Sequence, residues 1–562
     1  MAVATGPGIA GGHSVTPVRF SSLIEAFDHW VTQKPDADAL SYFGGHATWA
    51  QLDTRVDAIA AALKDRGLGT GDRIMIQLQN QPEFITIELA AWRLGAVIVP
   101  VSPMYSVREV RKLVDDCEPV VFVTDRGTWN RQGPACIDGT SVRAVVTTGI
   151  GDFGGDVPPV FDASADDALT AVAPDGVELV AVAAVADAAA TVDRVAVTSD
   201  DLAIIEYTSG TTGAPKGARV LHRGVVWTAT GYVHYNRLEE DDNVILAIAP
   251  LTHITGQAFH LGTWLVSGAR LVLGYRMQPD YYAELLESEG VTWTTGTSTA
   301  YIALLGALDR QPRSLSTLRA LGCGGAPVPA ELMPKITATF GHELRPGYGL
   351  TETSSGCVTT VLGVDNPRDP ESGIISVGKA QGETLLKVID EDGSTLPFGS
   401  RGEICIKGPS VVDGYWRNPE ETAATFVDGW LRTGDVGFID ENEFVYIADR
   451  TKNMIAASGF KVWPREVEEV LYQLPAVHEV AVVGVPDAYR GENVAAVISV
   501  RSGHTLDAET VTAHARANLA AYKVPKRIEF VDEVPKNFNG KIVHKDVRAA
   551  LLAADEPAAA NG

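Results

Sequence analysis

The sequence predicts an α/β chain of more than one domain, and three observations predict it. First, the chain has 562 residues, which at about 150 residues per domain gives two to four domains. Second, apolar residues alternate between helical and strand spacing over most of its length, the rhythm of parallel strands joined by helices. Third, the rhythm changes twice near the C-terminus. Past about Leu385 short strands follow one another with turn signals between them, and past Arg450 strands and helices alternate again on a smaller scale.

Taken in order, residues 52–63 have helical spacing and stop near Gly67, and residues 73–78 are a short apolar run of strand type. Residues 85–94 read as a helix closed by Gly95, and 96–101 as the next strand. The pattern recurs at 270–273, 281–286 and 291–294. Residues 150–193 are rich in Ala, Asp, Val and Pro and are expected to form a surface excursion or linker. From 385 to 447 the turns punctuate an antiparallel meander, with Glu391-Asp392-Gly393 as the clearest turn. The tail predicts helices at 466–474 and 506–519 and strands at 477–485 and 495–501. No internal repeat of solenoid period is present.

Composition limits the function. Hydrophobic residues make up 45% and charged residues 21%, ordinary globular usage that excludes wholesale disorder. The net charge is −25, a field that repels nucleic acid and anionic membranes, so no nucleic-acid partner is expected. A site for an anionic nucleotide must therefore be built locally, from backbone N–H groups, a few Lys or Arg side chains and metal. The five cysteines, Cys117, Cys136, Cys323, Cys357 and Cys405, are odd in number and lack metal-ligand spacing. They read as reduced, buried thiols of a cytoplasmic protein. Residues 1–20 carry no apolar signal core, and Asp175, Glu178 and Asp187 break the most apolar-looking stretch, so neither a signal peptide nor a transmembrane segment is expected. A homodimer is compatible with the sequence but not implied by it.

The most informative segment is Tyr-Thr-Ser-Gly-Thr-Thr-Gly-Ala-Pro-Lys-Gly at 207–217. Glycines let backbone approach a phosphate, hydroxyl and N–H groups donate to its oxygens, and Lys216 supplies charge. The order Pro215-Lys216-Gly217 departs from a Walker A loop, which has Gly before the Lys and Ser or Thr after it. The segment resembles the phosphate loop of the adenylate-forming superfamily, which includes acyl-CoA synthetases, adenylation domains of peptide synthetases and firefly luciferase. Other hallmarks of that family appear in order: Gly-Tyr-Gly-Leu-Thr-Glu-Thr at 347–353, Thr433-Gly434-Asp435, Asp449-Arg450-Thr451-Lys452, and a C-terminal lysine motif ending Asn539-Gly540-Lys541. The resemblance spans about 27–551, and five motifs in the family's order make it specific.

The resemblance implies a large N-terminal domain (1–449) of doubly wound sheets with a small β-barrel-like subdomain, a hinge at 450–452, and a mobile α+β C-terminal lid (453–562). It implies an acid–thiol ligase. A carboxylic acid attacks the α-phosphate of ATP to give acyl-AMP and pyrophosphate, and coenzyme A then displaces AMP. On this reading Thr208, Ser209, Gly210, Thr211, Thr212, Gly213 and Lys216 hold the terminal phosphates. Thr351 binds the α-phosphate, and Glu352 is the Mg²⁺ ligand, since a hard cation prefers carboxylate oxygen. Tyr348, between Gly347 and Gly349, offers a flat face to adenine, and Gly324, Gly325, Ala326 and Pro327 close over it. Asp435 accepts hydrogen bonds from both ribose hydroxyls, with Arg450 a second contact at the domain boundary. Lys541 is the adenylation catalyst, whereas Lys536 and Lys545 are expected to be solvated. Lys452 sits at the hinge, and after rotation of the lid Gly459 and Lys461 line the path of the incoming thiol. Ala456 stands where many family members carry Lys, and Lys461 is the candidate to compensate.

His253, in Pro-Leu-Thr-His-Ile-Thr-Gly at 250–256, resembles the residue that gates the carboxylate. Thr297, Ser298, Thr299 and Tyr301 match acyl-pocket positions. The Asp by which amino-acid-activating members pair the substrate's ammonium is absent, which argues against an α-amino acid. The hydroxyl-rich run at 295–299 points to an acid with a ring or polar feature rather than a plain alkyl chain. Three other readings stay open: loading of a carrier-protein phosphopantetheine, although no carrier domain follows Leu551; luciferase-like oxygenation; and a nucleotide-binding protein without ligase chemistry. Retention of Lys216, Glu352, Asp435 and Lys541 together argues against the last.

Overall fold

The computed structural model describes residues 8–12, 17–161, 168–208, 215–238, 242–325, 328–330, 332–370, 372–450, 453–457, 460–487, 491–537 and 541–555. Two large sheets organise the N-terminal part. In the first, seven strands run in the order Lys216–Leu221, Leu202–Thr208, Val97–Pro100, Arg73–Gln77, Val121–Asp125, Ala144–Thr148, Glu178–Ala181. All neighbours are parallel except Lys216–Leu221, which returns antiparallel to Leu202–Thr208. These strands are apolar on both faces because both are covered. Ile74 and Ile76 feed one core, whereas Met75 packs with Val97, Val99 and Phe122 in the other.

The second sheet has nine strands, in which Leu344–Leu350, Ala320–Cys323, Trp293–Gly296, Val244–Ala247, Arg270–Leu273 and Asp38–Tyr42 run parallel between antiparallel edges. Its helices begin where the sequence supplies caps. Ser298–Arg310 starts at Thr297, whose hydroxyl accepts from the Ala300 amide, and Trp49–Asp65 starts with a capping box between Thr48 and Gln51. The helix expected at 85–94 begins earlier, at Pro82, because proline is preorganised for a first helical position. The expected excursion at 150–193 also contributes structure, since Glu178–Ala181 joins the first sheet as an edge strand.

The meander forms a six-stranded antiparallel sheet from Ile9–Gly11, Leu385–Ile389, Gly402–Lys407, Phe426–Val427, Trp430–Ile439 and Val445–Arg450. The C-terminal part has its own sheet, in which the long pair Val477–Asp487 and Gly491–Val500 is flanked by Arg527–Val531, Ile455–Ala457 and Phe460–Val462. Helices Pro464–Tyr472, Ala508–Asn518 and His544–Asp555 accompany it, over two hydrophobic cores separate from those of the large part. Polar contacts tie the two parts together: Arg465 donates from Nη1 to the Ile447 carbonyl at 2.8 Å, and the Ala330 amide donates to Glu469 at 3.4 Å. Among the described residues, no helix is long and apolar enough to cross a membrane.

Candidate active site

The C-terminal strand ends of the two large sheets, the meander and the C-terminal part enclose one cleft of about 1480 Å³. Topology brings the motifs to it. Thr208 and Lys216 are directly opposed in the antiparallel pair Leu202–Thr208 and Lys216–Leu221, so the phosphate-loop segment begins and ends at one point of the cleft wall. Ser209, Gly210, Thr211, Thr212 and Gly213 lie outside the described residues, as do Ala326, Pro327, Lys452 and Gly459. Lys216 forms an ion pair with Glu421, and its ammonium stands 5.5 Å from the Tyr415 ring centre. Tyr207, which also lines the cleft, donates from its hydroxyl to Asp116.

The second motif crosses the floor. Gly347, Tyr348 and Gly349 end the strand Leu344–Leu350, and a 3₁₀ turn, Thr351–Thr353, presents Thr351 and Glu352 to the cleft. Gly349 is obligatory here, since a Cβ at this position would stand 1.8 Å from the Ser355 carbonyl oxygen. Glu352 accepts a hydrogen bond from the Tyr415 hydroxyl at 2.7 Å. Among the described residues no group of three or more His, Cys, Asp or Glu could hold a metal ion. A lone carboxylate still suits magnesium, which completes its shell from substrate phosphate and water.

Tyr348 does more than offer a flat face. Its hydroxyl donates to Asp435 Oδ2 at 2.7 Å, and Asp435 is itself buried. Burial, then the Asp435 charge, raise the Tyr348 hydroxyl well above its usual range, so it stays protonated and remains a donor. Asp435 stands opposite Arg450 in the strand pair Trp430–Ile439 and Val445–Arg450, which places the Arg450 backbone beside the expected ribose acid. The side chains of Arg450 and Lys461 are outside the described residues. The Lys461 backbone pairs with Ala456 in the C-terminal sheet.

His253 caps a helical run that starts at Ile254 and passes through a π-helical turn, Gln257–Gly262, into Thr263–Ser267. The Thr255 amide donates to His253 Nδ1 at 3.1 Å. Burial, and then the positive charge of Lys541, push the imidazole down to about 4. It is therefore neutral at physiological pH, and because Nδ1 accepts, its proton sits on Nε2. His253 thus presents its Nε2 as the donor at the cleft wall.

Lys541 reaches the same cleft from the C-terminal part. Asn537 brackets its backbone: the Asn537 amide donates to the Lys541 carbonyl at 2.8 Å, and Asn537 Oδ1 accepts from the Lys541 amide at 3.0 Å. Lys536 is not solvated as expected. It bridges Glu479, at 3.0 Å to both oxygens, and Glu533 at 3.0 Å, whereas Lys545 is exposed.

Gly324 and Gly325, expected over adenine, and Thr297 and Thr299, expected at the acyl pocket, line the cleft. Ser298 and Tyr301 do not. Both are buried on the inner side of their helix, where the Tyr301 hydroxyl donates to the Gly322 carbonyl at 2.7 Å. Phe259, Tyr275, Met277, Ala300 and Ala303 line the cleft and were not foreseen. They lie outside the five motifs, on elements whose apolar residues read equally well as core.

Fold and site together define an enzyme that binds a nucleotide between a large and a small part of the chain, with a lysine of the small part entering the cleft. Comparison with known proteins agrees. The family model described as AMP-binding enzyme matches residues 27–416, and that described as AMP-binding enzyme C-terminal domain matches 466–541. The chain is 32% identical over 535 residues to a long-chain-fatty-acid–CoA ligase of Bacillus subtilis, covering 91% of each chain. It is 33% identical over 515 residues to a feruloyl-CoA synthase of Amycolatopsis, covering 92% of this chain and 96% of the other. Among solved structures it resembles ATP-bound MatB from Rhodopseudomonas palustris, with TM-score 0.78 and 31% identity over 94% of this chain and 98% of that one. An anthranilate CoA ligase in complex with anthranoyl-AMP gives TM-score 0.81 and 25% identity over 96% and 99%. The chain belongs to the AMP-binding enzyme family. Its reaction class is that of the family's acyl-CoA synthetases, formation of an acyl-adenylate followed by thioester formation with coenzyme A.

Proposed function

We propose the following division of labour within that reaction. Thr208, the loop through Gly213, and Lys216 hold the β- and γ-phosphates, and Thr351 holds the α-phosphate. Glu352 supplies the protein's ligand to a magnesium ion, which when bound neutralises phosphate charge. Tyr348 and Asp435 form one ribose-binding unit, with Arg450 beside it. Lys541 stabilises the anionic charge that develops as the carboxylate attacks the α-phosphate, and His253 donates from Nε2 to the substrate carboxyl group. Residues 1–449 form the ATP- and acid-binding domain and 453–562 the lid, with the hinge at 450–452. Rotation of the lid exchanges Lys541 for the wall that carries Gly459 and Lys461.

The observation that carries this assignment is the convergence on one cleft of Lys216, Glu352, Tyr348 and Lys541, drawn from three separate motifs. For the acid, the lining by Phe259, Met277, Ala300 and Ala303 beside Thr297 and Thr299 favours a bulky, largely apolar acid with a ring or hydroxyl feature. An unsubstituted short acid would leave this lining unfilled. The test is pyrophosphate release with Mg²⁺–ATP against alkyl, aryl, hydroxylated and dicarboxylic acids, each with and without coenzyme A. Aryl or hydroxylated acids should release most pyrophosphate, and coenzyme A should raise the AMP yield. Preference for plain alkyl acids would refute the substrate assignment. Indifference to coenzyme A would move the acceptor to a carrier protein.

A further inference from the structure

One segment outside the five motifs touches both Lys216 and Glu352. Gly414–Trp416 runs beside the strand Lys216–Leu221. Tyr415 bridges to Ala218, the Trp416 amide donates to the Gly217 carbonyl at 2.7 Å, and the Arg219 amide donates to the Gly414 carbonyl at 3.0 Å. The chain then enters the helix Pro419–Thr425. Asn418 caps it by accepting from the Glu421 amide at 3.1 Å, and Thr422 Oγ1 accepts from the Tyr415 amide at 2.9 Å. These bonds fix Glu421 at the third helical position, where its carboxylate pairs with the Lys216 ammonium. From the same segment the Tyr415 hydroxyl orients Glu352. The Lys216 and Glu421 side chains remain 27% and 37% exposed, so a solute entering the cleft can replace either partner.

We infer that Glu421 competes with the nucleotide's terminal phosphates for Lys216, holding its ammonium and yielding it when a triphosphate arrives. The inference rests on the phosphate-binding role proposed for Lys216. A triphosphate carries more charge than one carboxylate and can outcompete it, but every binding event must break the Glu421–Lys216 pair and bring phosphate beside a carboxylate. Glu421 therefore weakens the binding of ATP and of pyrophosphate alike. The effect favours turnover, because pyrophosphate leaving after the first step finds a competing anion already in place. Glu421 is in this sense a positioning residue, acting on the nucleotide through Lys216.

The test compares the wild type with Glu421→Gln, Glu421→Asp, Glu420→Gln and Lys216→Ala, measuring the dissociation constant of Mg²⁺–ATP and the inhibition constant of pyrophosphate. Glu421→Gln should tighten both by about two- to tenfold, the range of a half-exposed charge-assisted pair. The gain should shrink as salt is raised. Glu421→Asp, which keeps the charge but shortens the reach, should fall between. A gain in affinity separates this role from a structural one, since loss of a packing contact does not tighten a ligand. Glu420 is the exposed neighbour and its neutralisation should change neither constant. An equal gain in Glu420→Gln would reduce the effect to net charge and overturn the inference. Unchanged or weaker binding in Glu421→Gln, with Lys216→Ala weakening both ligands, would overturn it and leave the Lys216 assignment standing. Unchanged binding in Lys216→Ala would instead remove the assignment on which it rests.

Discussion

Tyr348 and Asp435 each have a separate role in the motif reading, yet the 2.7 Å hydrogen bond between them makes them one unit. Asp435→Ala removes a charged acceptor and strands a buried tyrosine hydroxyl, so it should raise the KM for ATP by more than about tenfold. Tyr348→Phe keeps the ring and should raise it only about threefold, the worth of one hydrogen bond. Initial-rate kinetics with varied ATP check both. Buried carboxyls give a second prediction. Glu88 and Glu206 are fully buried, and burial raises both well above the usual carboxylate range, opposed for Glu88 by Gln257 and reinforced for Glu206 by Glu88. A folded-state value above the unfolded one contributes stability fully below the ordinary carboxylate value, and that stability is lost as pH rises toward the folded value. Glutamine mimics the neutral acid, so Glu88→Gln should come closest to the wild type near pH 4 and be the more stable of the two at pH 8. Denaturant unfolding at the two pH values would show this, and an equal shift at both would refute it.

At the scale of elements, the sequence was legible where one element's signal is local. The strand Arg73–Gln77 holds the apolar run Ile74-Met75-Ile76 because both faces are buried, and Ala508–Asn518 starts where Asp507 caps it. That Thr351, Glu352 and Lys541 line the cleft was legible for the same reason, each being embedded in a short contiguous motif. What stayed hidden depends on partners far apart in sequence: Tyr348 with Asp435 are 87 residues apart, and Lys216 with Glu421 are 205 apart. Nothing local marks Glu421, and nothing local separates Tyr301, which is core, from Ala300, which lines the cleft. The π-helical turn behind His253 likewise has no sequence signature. Close backbone approach, by contrast, leaves a glycine. A Cβ on Gly349 would sit 1.8 Å from a carbonyl oxygen held in the neighbouring strand Ser355–Thr359. Gly349→Ala should therefore cost about 3 kcal/mol or more and abolish adenylation, as measured by thermal unfolding and pyrophosphate release.

For the molecule as a whole, the informative fact is that the charged residues of the cleft come from two separately cored parts. Lys216 and Glu352 belong to the large part and Lys541 to the small one, and Lys541 lies close enough to the neutral His253 to help depress its pKa. An arrangement in which Lys541 completes the cleft suits the first half-reaction, because its ammonium answers the anionic charge that develops at the α-phosphate. The second half-reaction begins from an adenylate already formed and needs a route for the thiol. Lys541→Ala should therefore leave Mg²⁺–ATP affinity within about twofold while slowing pyrophosphate release by about 10²–10³-fold, the usual loss on removing one preorganised charge. The same variant given synthetic acyl-AMP should form the thioester with coenzyme A at close to the wild-type rate, since in the proposed lid rotation that step follows departure of Lys541 from the cleft. Asn537→Ala, which loosens the bracket on Lys541, should slow only pyrophosphate release, and by less. Parallel loss of both half-reactions in Lys541→Ala would mean that this lysine serves one fixed site and that the two steps do not use different placements of the lid.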